Sequence, residues 1–134
     1  MSLTKYFKTL GAPLHNTRWS WGAVRDDGTV ILRVWQDESK VLDGVSHQRI
    51  TFFQKFEDDP DNRGFKERQG HLELIKAGAK SYMVMCIAQD VAAMPREVKS
   101  YIKDAVFEGG ELREIDGDFW LERKSRIQYE SMAN

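Results

Sequence analysis

Apolar and polar positions alternate with a period of two in several short stretches of this chain, a spacing that is typical of strands. The clearest pair is 18–25 and 29–36, separated by a turn in which Gly28 can adopt the positive φ that closes it. In the first stretch Trp19 and Trp21 share one face, and the second is rich in β-branched and aromatic residues. The pattern therefore predicts a tryptophan-bearing hairpin.

Other stretches complete a predicted sheet. The remaining strands are expected at 49–56, 80–89, 111–115 and 119–124. The stretch 80–89 is nearly all apolar, which indicates a strand buried on both faces at the centre of the sheet. Asp116-Gly117-Asp118 supplies the turn of a second hairpin, and Gly109-Gly110 is predicted to turn the chain before it.

Helical spacing of apolar residues occurs in three places, at 3–10, 65–77 and 95–103. Gly78 follows the second stretch as a stop signal, and Pro95 stands in the first turn of the third. Helices that lie between strands without strict alternation favour the α+β class. We expect one domain over 1–134, a small, mostly antiparallel β-barrel with two or three flanking helices.

Composition indicates the cellular compartment of the protein but not its reaction or ligand. The chain has 134 residues and a net charge of −1, so no global field attracts nucleic acid or a membrane. Its single cysteine, Cys86, excludes an internal disulfide and favours a reducing compartment. No apolar run is long enough to span a bilayer, and the first residues lack a secretory signal. A cytoplasmic protein without membrane contact is the expectation.

The predicted hairpin is the best candidate for a ligand site. Three of the four tryptophans fall within 16–37, interleaved with arginines. Aromatic faces can stack a base or enclose a flat ligand, and arginine can pair with phosphate. The alternative is that the tryptophans belong to the core. We predict a ligand-binding set of Asn16, Arg18, Trp19, Trp21, Arg33 and Trp35.

A second constellation suggests metal chemistry. Glu122-Arg-Lys124 lies on the last predicted strand, with acidic residues upstream at Asp104, Asp116 and Asp118. Carboxylates beside a lysine could hold a divalent cation for phosphodiester hydrolysis. The three histidines have no metal-ligand spacing, and no nucleophilic triad or phosphate-binding glycine loop is present. We therefore expect no cofactor and no resident metal, and we favour a binding function over catalysis.

The order of elements resembles the PUA-like superfamily, within it the EVE, ASCH and SRA-type modules. The residues that carry the resemblance are Trp19-Ser-Trp21-Gly-Ala, Leu32-Arg-Val-Trp35 and Asp116-Gly-Asp118-Phe-Trp120. The resemblance implies a small barrel that binds RNA or modified bases in DNA, with a flipped base held in an aromatic pocket. It thus implies a reader rather than an enzyme.

Three functions remain open from the sequence. The first is a nucleic-acid-binding module that reads a modified or unpaired base. The second is a protein-interaction module of a phage-defence or related system, with the tryptophans in the interface. The third is a metal-dependent nuclease. Tryptophans in a concave pocket would favour the first function, and a flat exposed apolar patch would favour the second.

Overall fold

The computed structural model describes residues 1–132, which form eight strands in one mostly antiparallel sheet and two helices. The α+β class is therefore confirmed. In chain order the elements are α1 (Leu3–Thr9), β1 (Gly22–Val24), β2 (Val30–Trp35), β3 (Ser39–Leu42), β4 (Val45–Arg49), α2 (Arg63–Lys76), β5 (Ser81–Ala88), β6 (Val98–Tyr101), β7 (Ala105–Ile115), β8 (Asp118–Gln128) and a short 3-10 turn (Tyr129–Ser131).

The sheet follows the order β1-β2-β5-β7-β8-β4-β3, and β6 pairs with a further part of β5. The pairing of β2 with β5 is parallel, and the other pairs are antiparallel. Four consecutive residues of β5, from Met83 to Cys86, are buried, as expected for a central strand. Among the described strands β1 and β3 do not pair with each other, so the sheet is not closed into a barrel.

Two helices cover apolar surface of the sheet. In α1, Tyr6 and Phe7 are buried against residues of β2 and β5, and the Ser2 side chain accepts a hydrogen bond from Lys5 N at the helix start. In α2, Leu72 and Ile75 pack on a second cluster from the same strands. The predictions at 3–10 and 65–77 are confirmed. Neither helix within 1–132 has the length and apolar sequence needed to cross a membrane.

Two hairpins turn on Asp-Gly pairs with positive φ. Asp43 and Gly44 (φ 53° and 78°) join β3 to β4, and Asp116 and Gly117 (φ 51° and 85°) join β7 to β8. The predicted second hairpin is confirmed, although both strands extend beyond the predicted ends. Such turns match the twist of antiparallel strands.

Gly109-Gly110 does not turn the chain, contrary to the prediction. Both glycines lie inside β7, where the register with β8 shifts. A Cβ at Gly109 would stand 2.8 Å from the Leu121 side chain, and one at Gly110 would overlap the side chain of Glu122. The two glycines thus leave room for side chains of the neighbouring strands, a role that glycine also has in strands.

The predicted strand 18–25 is shorter in the structure, where β1 covers only Gly22–Val24. The Asn16 carboxamide accepts hydrogen bonds from Arg18 N (2.8 Å) and Trp19 N (3.4 Å), and Ser20 N donates to Asn16 O (3.0 Å). This local bonding folds 17–19 into a turn in place of a strand. Trp19 therefore lies before the sheet, and Trp21 directly precedes β1.

The predicted strand 49–56 is wrong beyond its first residue. Strand β4 instead ends at Arg49, and the chain then turns. The Asp118 carboxylate accepts hydrogen bonds from Thr51 Oγ1 and Phe53 N, both at 2.9 Å. These bonds fix the segment to the start of β8 rather than letting it pair as a strand.

The hairpin of β3 and β4 was not predicted, because 37–48 has no clear period.

The predicted helix 95–103 is wrong, because this stretch contains no helix and its residues 98–101 form a strand, β6. Strand β7 pairs with β5 only at Tyr82 and Met83, which leaves the later part of β5 without a partner on that side. Strand β6 pairs there with Cys86–Ala88. Because buried backbone groups need hydrogen-bond partners, this pairing outweighs the local helical spacing.

Candidate functional site

A cavity of about 400 Å³ lies beside β2, between the segment 18–21, the segment 49–62, α2 and the loop before β6. This volume is within the range of small-molecule binding sites. We call it the Trp cavity. Its aromatic walls are formed by five side chains, Trp19, Trp21, Trp35, Phe52 and Phe56.

Helix α2 positions Trp21. The Glu67 carboxylate accepts hydrogen bonds from Trp21 N (2.7 Å) and from Ser20 Oγ (2.8 Å). A Cβ at Gly64 would overlap the Trp21 indole, so the helix surface is open where the ring lies. The indole meets the Phe52 ring edge-on, with centroids 6.3 Å apart. Trp21 is thus positioned by the hydrogen bond from its backbone N–H to Glu67 and by the space that Gly64 leaves for its indole ring.

Trp19 depends on the turn that precedes β1. Asn16 accepts from the backbone of that turn, as described above, and Ser20 Oγ accepts from Asn16 N (2.9 Å). The His15 ring lies edge-on to the indole at 5.7 Å between centroids. Trp19 belongs to none of the buried apolar clusters formed by residues 1–132. Its position therefore rests on local hydrogen bonds rather than on core packing.

The Trp cavity is positively charged, although the chain as a whole is not. One acid, Asp59, lines it. Six cationic side chains line it as well, namely Arg18, Arg33, Arg49, Lys55, Arg68 and Arg96. Asp118 and Asp37 offset the charges of Arg49 and Arg96, and the cations that remain form the local basic patch that a chain of net charge −1 would need to attract an anionic ligand.

Two of the six cations are already paired. Arg96 forms a bidentate pair with Asp37, at 2.8 and 2.9 Å, and Arg49 Nη2 lies 2.6 Å from the Asp118 carboxylate. By contrast, within residues 1–132 no carboxylate lies within ion-pair distance of Arg18 or Lys55. Arg18 and Lys55 are therefore the cations available to a ligand phosphate.

Arg68 lies at the base of the cavity and is 2% exposed. Its guanidinium donates to three carbonyl oxygens, Ile50 O (2.9 Å), Trp21 O and Arg33 O (both 2.7 Å), and stands 5.5 Å from the Trp21 ring centroid. Burial, with a smaller effect of Arg33, lowers the pKa of Arg68 to about 9, so it remains a cation at neutral pH. Burial and the nearby Arg68 charge lower the pKa of His71 to about 4.

Five of the six residues predicted for ligand binding line this one cavity: Arg18, Trp19, Trp21, Arg33 and Trp35. Asn16 does not line it and instead holds the turn that carries Trp19. The alternative that the tryptophans belong to the core holds in part, because Trp21 and Trp35 also pack against a buried cluster, which consists of Phe52, Phe56 and Phe65. All three tryptophans of the hairpin region are half-buried.

Several lining residues were not predicted as part of the site. Phe52, Lys55 and Phe56 enter it because 50–56 leaves the sheet, and the Phe52-Phe53 break in alternation was the only local sign of this. Arg68 could have been found, since an arginine on the apolar face of an amphipathic helix must satisfy its donors inside. Arg96 comes from a loop whose position no local pattern predicts.

Asp118 and Glu122, two of the carboxylates considered for a metal site, take part in other interactions. Asp118 accepts from Arg49, the Thr51 hydroxyl and Phe53 N, as described above, and Glu122 Oε1 accepts from Glu111 N at 3.0 Å. Among residues 1–132 no group of three His, Cys, Asp or Glu side chains is arranged to hold a metal ion. The structure thus adds nothing in support of a nuclease.

Comparison with models of known protein families gave no match, and comparisons with curated protein sequences and with solved structures gave none either. The resemblance to PUA-like modules therefore stays a prediction from the sequence. Inference about function has to rest on the geometry of the Trp cavity.

Proposed function

We propose that this chain is a non-catalytic nucleic-acid-binding module that takes one unpaired or modified base into the Trp cavity. The observation that carries the proposal is the presence of five aromatic and six cationic side chains around one cavity of about 400 Å³. A base offers a flat π face to aromatic side chains, and its phosphates offer negative charge to arginine and lysine. RNA, or DNA with a modified base, is the expected partner.

The shape of the site supports a base more than a partner protein. The tryptophans Trp19, Trp21 and Trp35 border a concavity rather than a flat apolar patch. A base can enter it only when unstacked, and an unpaired, mismatched or modified base is the least costly to extrude. The module should therefore bind single strands and disturbed duplexes more tightly than perfect duplexes.

The charge distribution supports a small number of phosphate contacts. Arg18 and Lys55 line the cavity and are both exposed, and neither is committed to a carboxylate within the described chain. With a net charge of −1 the rest of the surface contributes little attraction. The salt dependence of binding should consequently be shallow and assignable to these two side chains.

A PUA-like relationship belongs to this proposal too. Strands β2 and β4 are not neighbours in the sheet order, yet Gln48 Nε2 donates to Trp35 O at 2.9 Å, and Arg68 bonds both Ile50 O and Arg33 O. The side chains of Gln48 and Arg68 thus connect the β2 and β4 sides of the curled sheet, where backbone hydrogen bonds would connect the strands of a closed barrel. The curl supports a barrel-related fold of the predicted kind.

The test is a titration of the protein with a single-stranded oligonucleotide and with the perfect duplex of the same sequence, at several salt concentrations. We expect preference for the single strand. Arg18→Ala and Lys55→Ala should each reduce the slope of log K against log salt by about 0.7, the release expected per phosphate on a single strand. Lys8→Ala, on the exposed side of α1, is the matched control and should leave the slope unchanged.

Two results would contradict the proposed function. One is the absence of measurable binding to any single-stranded DNA or RNA. The other is a loss of slope in Lys8→Ala equal to that in the cavity variants, because binding would then be a diffuse surface effect.

A further inference from the structure

An acidic segment forms part of the rim of the Trp cavity. Residues 57–66 contain four acidic and two basic side chains, so the segment has a net charge of −2, and all four acidic residues are exposed. Asp61 is paired with Lys66 at 2.9 Å, and the other three acids form no ion pair within residues 1–132. One of these three, Asp59, lines the cavity. A phosphate that passes this part of the rim is therefore repelled.

The two cations available to phosphate, Arg18 and Lys55, come from different segments of the cavity wall. Arg18 belongs to the turn before β1 and Lys55 to the segment after β4, and both are exposed. Burial, together with the charge of Arg96, lowers the pKa of Lys55, and Glu38 acts in the opposite sense. An anion beside Lys55 would stabilise its charged form. Because both side chains are long and uncommitted, they can reach one anionic group at the entrance of the cavity.

A nucleotide inside a strand and a nucleotide at its end place different demands on this entrance. The strand leaves an internal nucleotide in two directions, whereas it leaves a terminal nucleotide in one direction only. A terminal nucleotide can therefore keep its strand away from the acidic segment at 57–66. A terminal phosphomonoester also carries about −1.5 to −2 charge at neutral pH, against about −1 for a phosphodiester, so it interacts more strongly with two cations.

We propose that the Trp cavity selects the terminal nucleotide of a single strand, with a terminal phosphomonoester bound by Arg18 and Lys55. This inference rests on the proposed function, since the base still occupies the aromatic part of the cavity. It adds that the strand leaves the cavity away from Asp59. The 5′ and 3′ ends offer the same phosphomonoester chemistry, so the experiment has to separate the two.

The test compares four forms of one single-stranded oligonucleotide: linear with hydroxyl groups at both ends, linear with a 5′-phosphate, linear with a 3′-phosphate, and circular. Each form is prepared as DNA and as RNA. An exposed ion pair contributes a factor of roughly three to affinity, so at least one phosphorylated form should bind about tenfold more tightly than the hydroxyl form. The circular form has no end and should bind no more tightly than the hydroxyl form. Equal affinity of the three linear forms, or circular binding as tight as that of the better phosphorylated form, would overturn the inference.

Variants assign the terminal phosphate to the two cations. Arg18→Ala and Lys55→Ala should each reduce the preference for the phosphorylated form about threefold, and the double variant should abolish it. Lys8→Ala is the matched control, because Lys8 is an exposed cation of α1 that does not line the cavity, and it should keep the full preference. A urea titration verifies that each variant is folded. Full preference in the double variant would overturn the assignment to Arg18 and Lys55.

Asp59→Asn tests the acidic rim separately. This variant should raise the affinity for the circular oligonucleotide about twofold, because one charge that repels the strand is removed. Asp26→Asn is the matched control, since Asp26 is also exposed, forms no ion pair within residues 1–132 and does not line the cavity. The control should leave that affinity unchanged. If Asp59→Asn behaves like the control, the acidic rim does not exclude an internal nucleotide.

The two proposals fail in different ways. If none of the four forms binds, the proposed function fails. If all four forms bind equally, selection of the strand end is wrong, and the nucleic-acid function stands.

Discussion

Asp118 connects the start of β8 to the segment that forms one wall of the Trp cavity, so its removal gives a direct test of the structure. Its carboxylate receives Arg49 Nη2 at 2.6 Å, Thr51 Oγ1 at 2.9 Å and Phe53 N at 2.9 Å. Asp118 itself is 6% exposed. Asp118→Ala removes all three acceptor contacts at once and leaves the Arg49 charge without its nearest partner.

The expected magnitude follows from these contacts. A hydrogen bond to a charged group contributes about 1.5–3 kcal/mol, but neighbouring bonds do not add fully. Breaking a largely buried ion pair from one side costs about 3–5 kcal/mol. Arg49 is partly exposed and keeps Glu38 at 3.4 Å, which moderates the loss. We therefore expect Asp118→Ala to lower the free energy of unfolding by about 3 kcal/mol.

Urea denaturation followed by circular dichroism measures this loss. Asp116→Asn is the matched control, because Asp116 lies two residues earlier, is exposed and has a positive φ that asparagine tolerates. The control should change stability by less than about 0.5 kcal/mol. If Asp118→Ala is as stable as the control, the carboxylate does not hold the 51–53 segment and the account of the cavity wall is wrong.

Two further predictions concern α2. Gly64→Ala should displace Trp21 and lower the free energy of unfolding by about 1–3 kcal/mol through overpacking. Gly70→Ala in the same helix meets no atom within 4 Å and should raise that free energy by up to about 1 kcal/mol. Equal effects of the two variants in urea titrations would contradict the overlap at Gly64. Burial lowers the pKa of His71 from 6.5 to about 4. Between pH 6.5 and 4 the unfolded chain therefore binds a proton that the folded chain does not, so the free energy of unfolding falls as the pH falls. Between pH 7.5 and 5 this loss should be about 2 kcal/mol, and His71→Gln should remove it; an unchanged pH dependence in that variant would refute the burial argument.

The elements that the sequence predicted well are those decided by local interactions. The two helices with one strongly apolar face, the apolar strand at 80–89 and the Asp116-Gly117 turn all reappear in the structure. In each, the residues that specify the element lie within it. The amphipathic pattern or the turn residues were therefore sufficient.

The errors arise where distant partners decide the outcome. Residues 95–103 have helical spacing, but 98–101 pair with the otherwise unpaired part of β5 and form β6. Residues 50–56 have strand composition, but the Asp118 carboxylate, more than sixty positions away, draws them into a loop. Neither partner is visible in a local window, since the competing interactions form only once the sheet is assembled.

The same distinction explains what could be predicted of the candidate site. Trp19, Trp21 and Trp35 were singled out because aromatic and basic residues are interleaved along one stretch, and the structure brings them to one cavity. The opposite wall, with Phe52 and Arg96, depends on loops placed by remote contacts. Only the hairpin side of the cavity was therefore accessible to local reasoning.

The central claim is that a base enters the Trp cavity and contacts Trp19. A double-mutant cycle tests it most directly, with wild-type protein and Trp19→Ala each titrated against a single-stranded oligonucleotide and against the same oligonucleotide with one base removed. Trp19 lies outside the buried clusters, so the variant should keep its fold, which a urea titration checks. The account predicts a coupling energy of about 1–3 kcal/mol between the indole and the base. A coupling energy of zero, with both oligonucleotides weakened equally by Trp19→Ala, would contradict it.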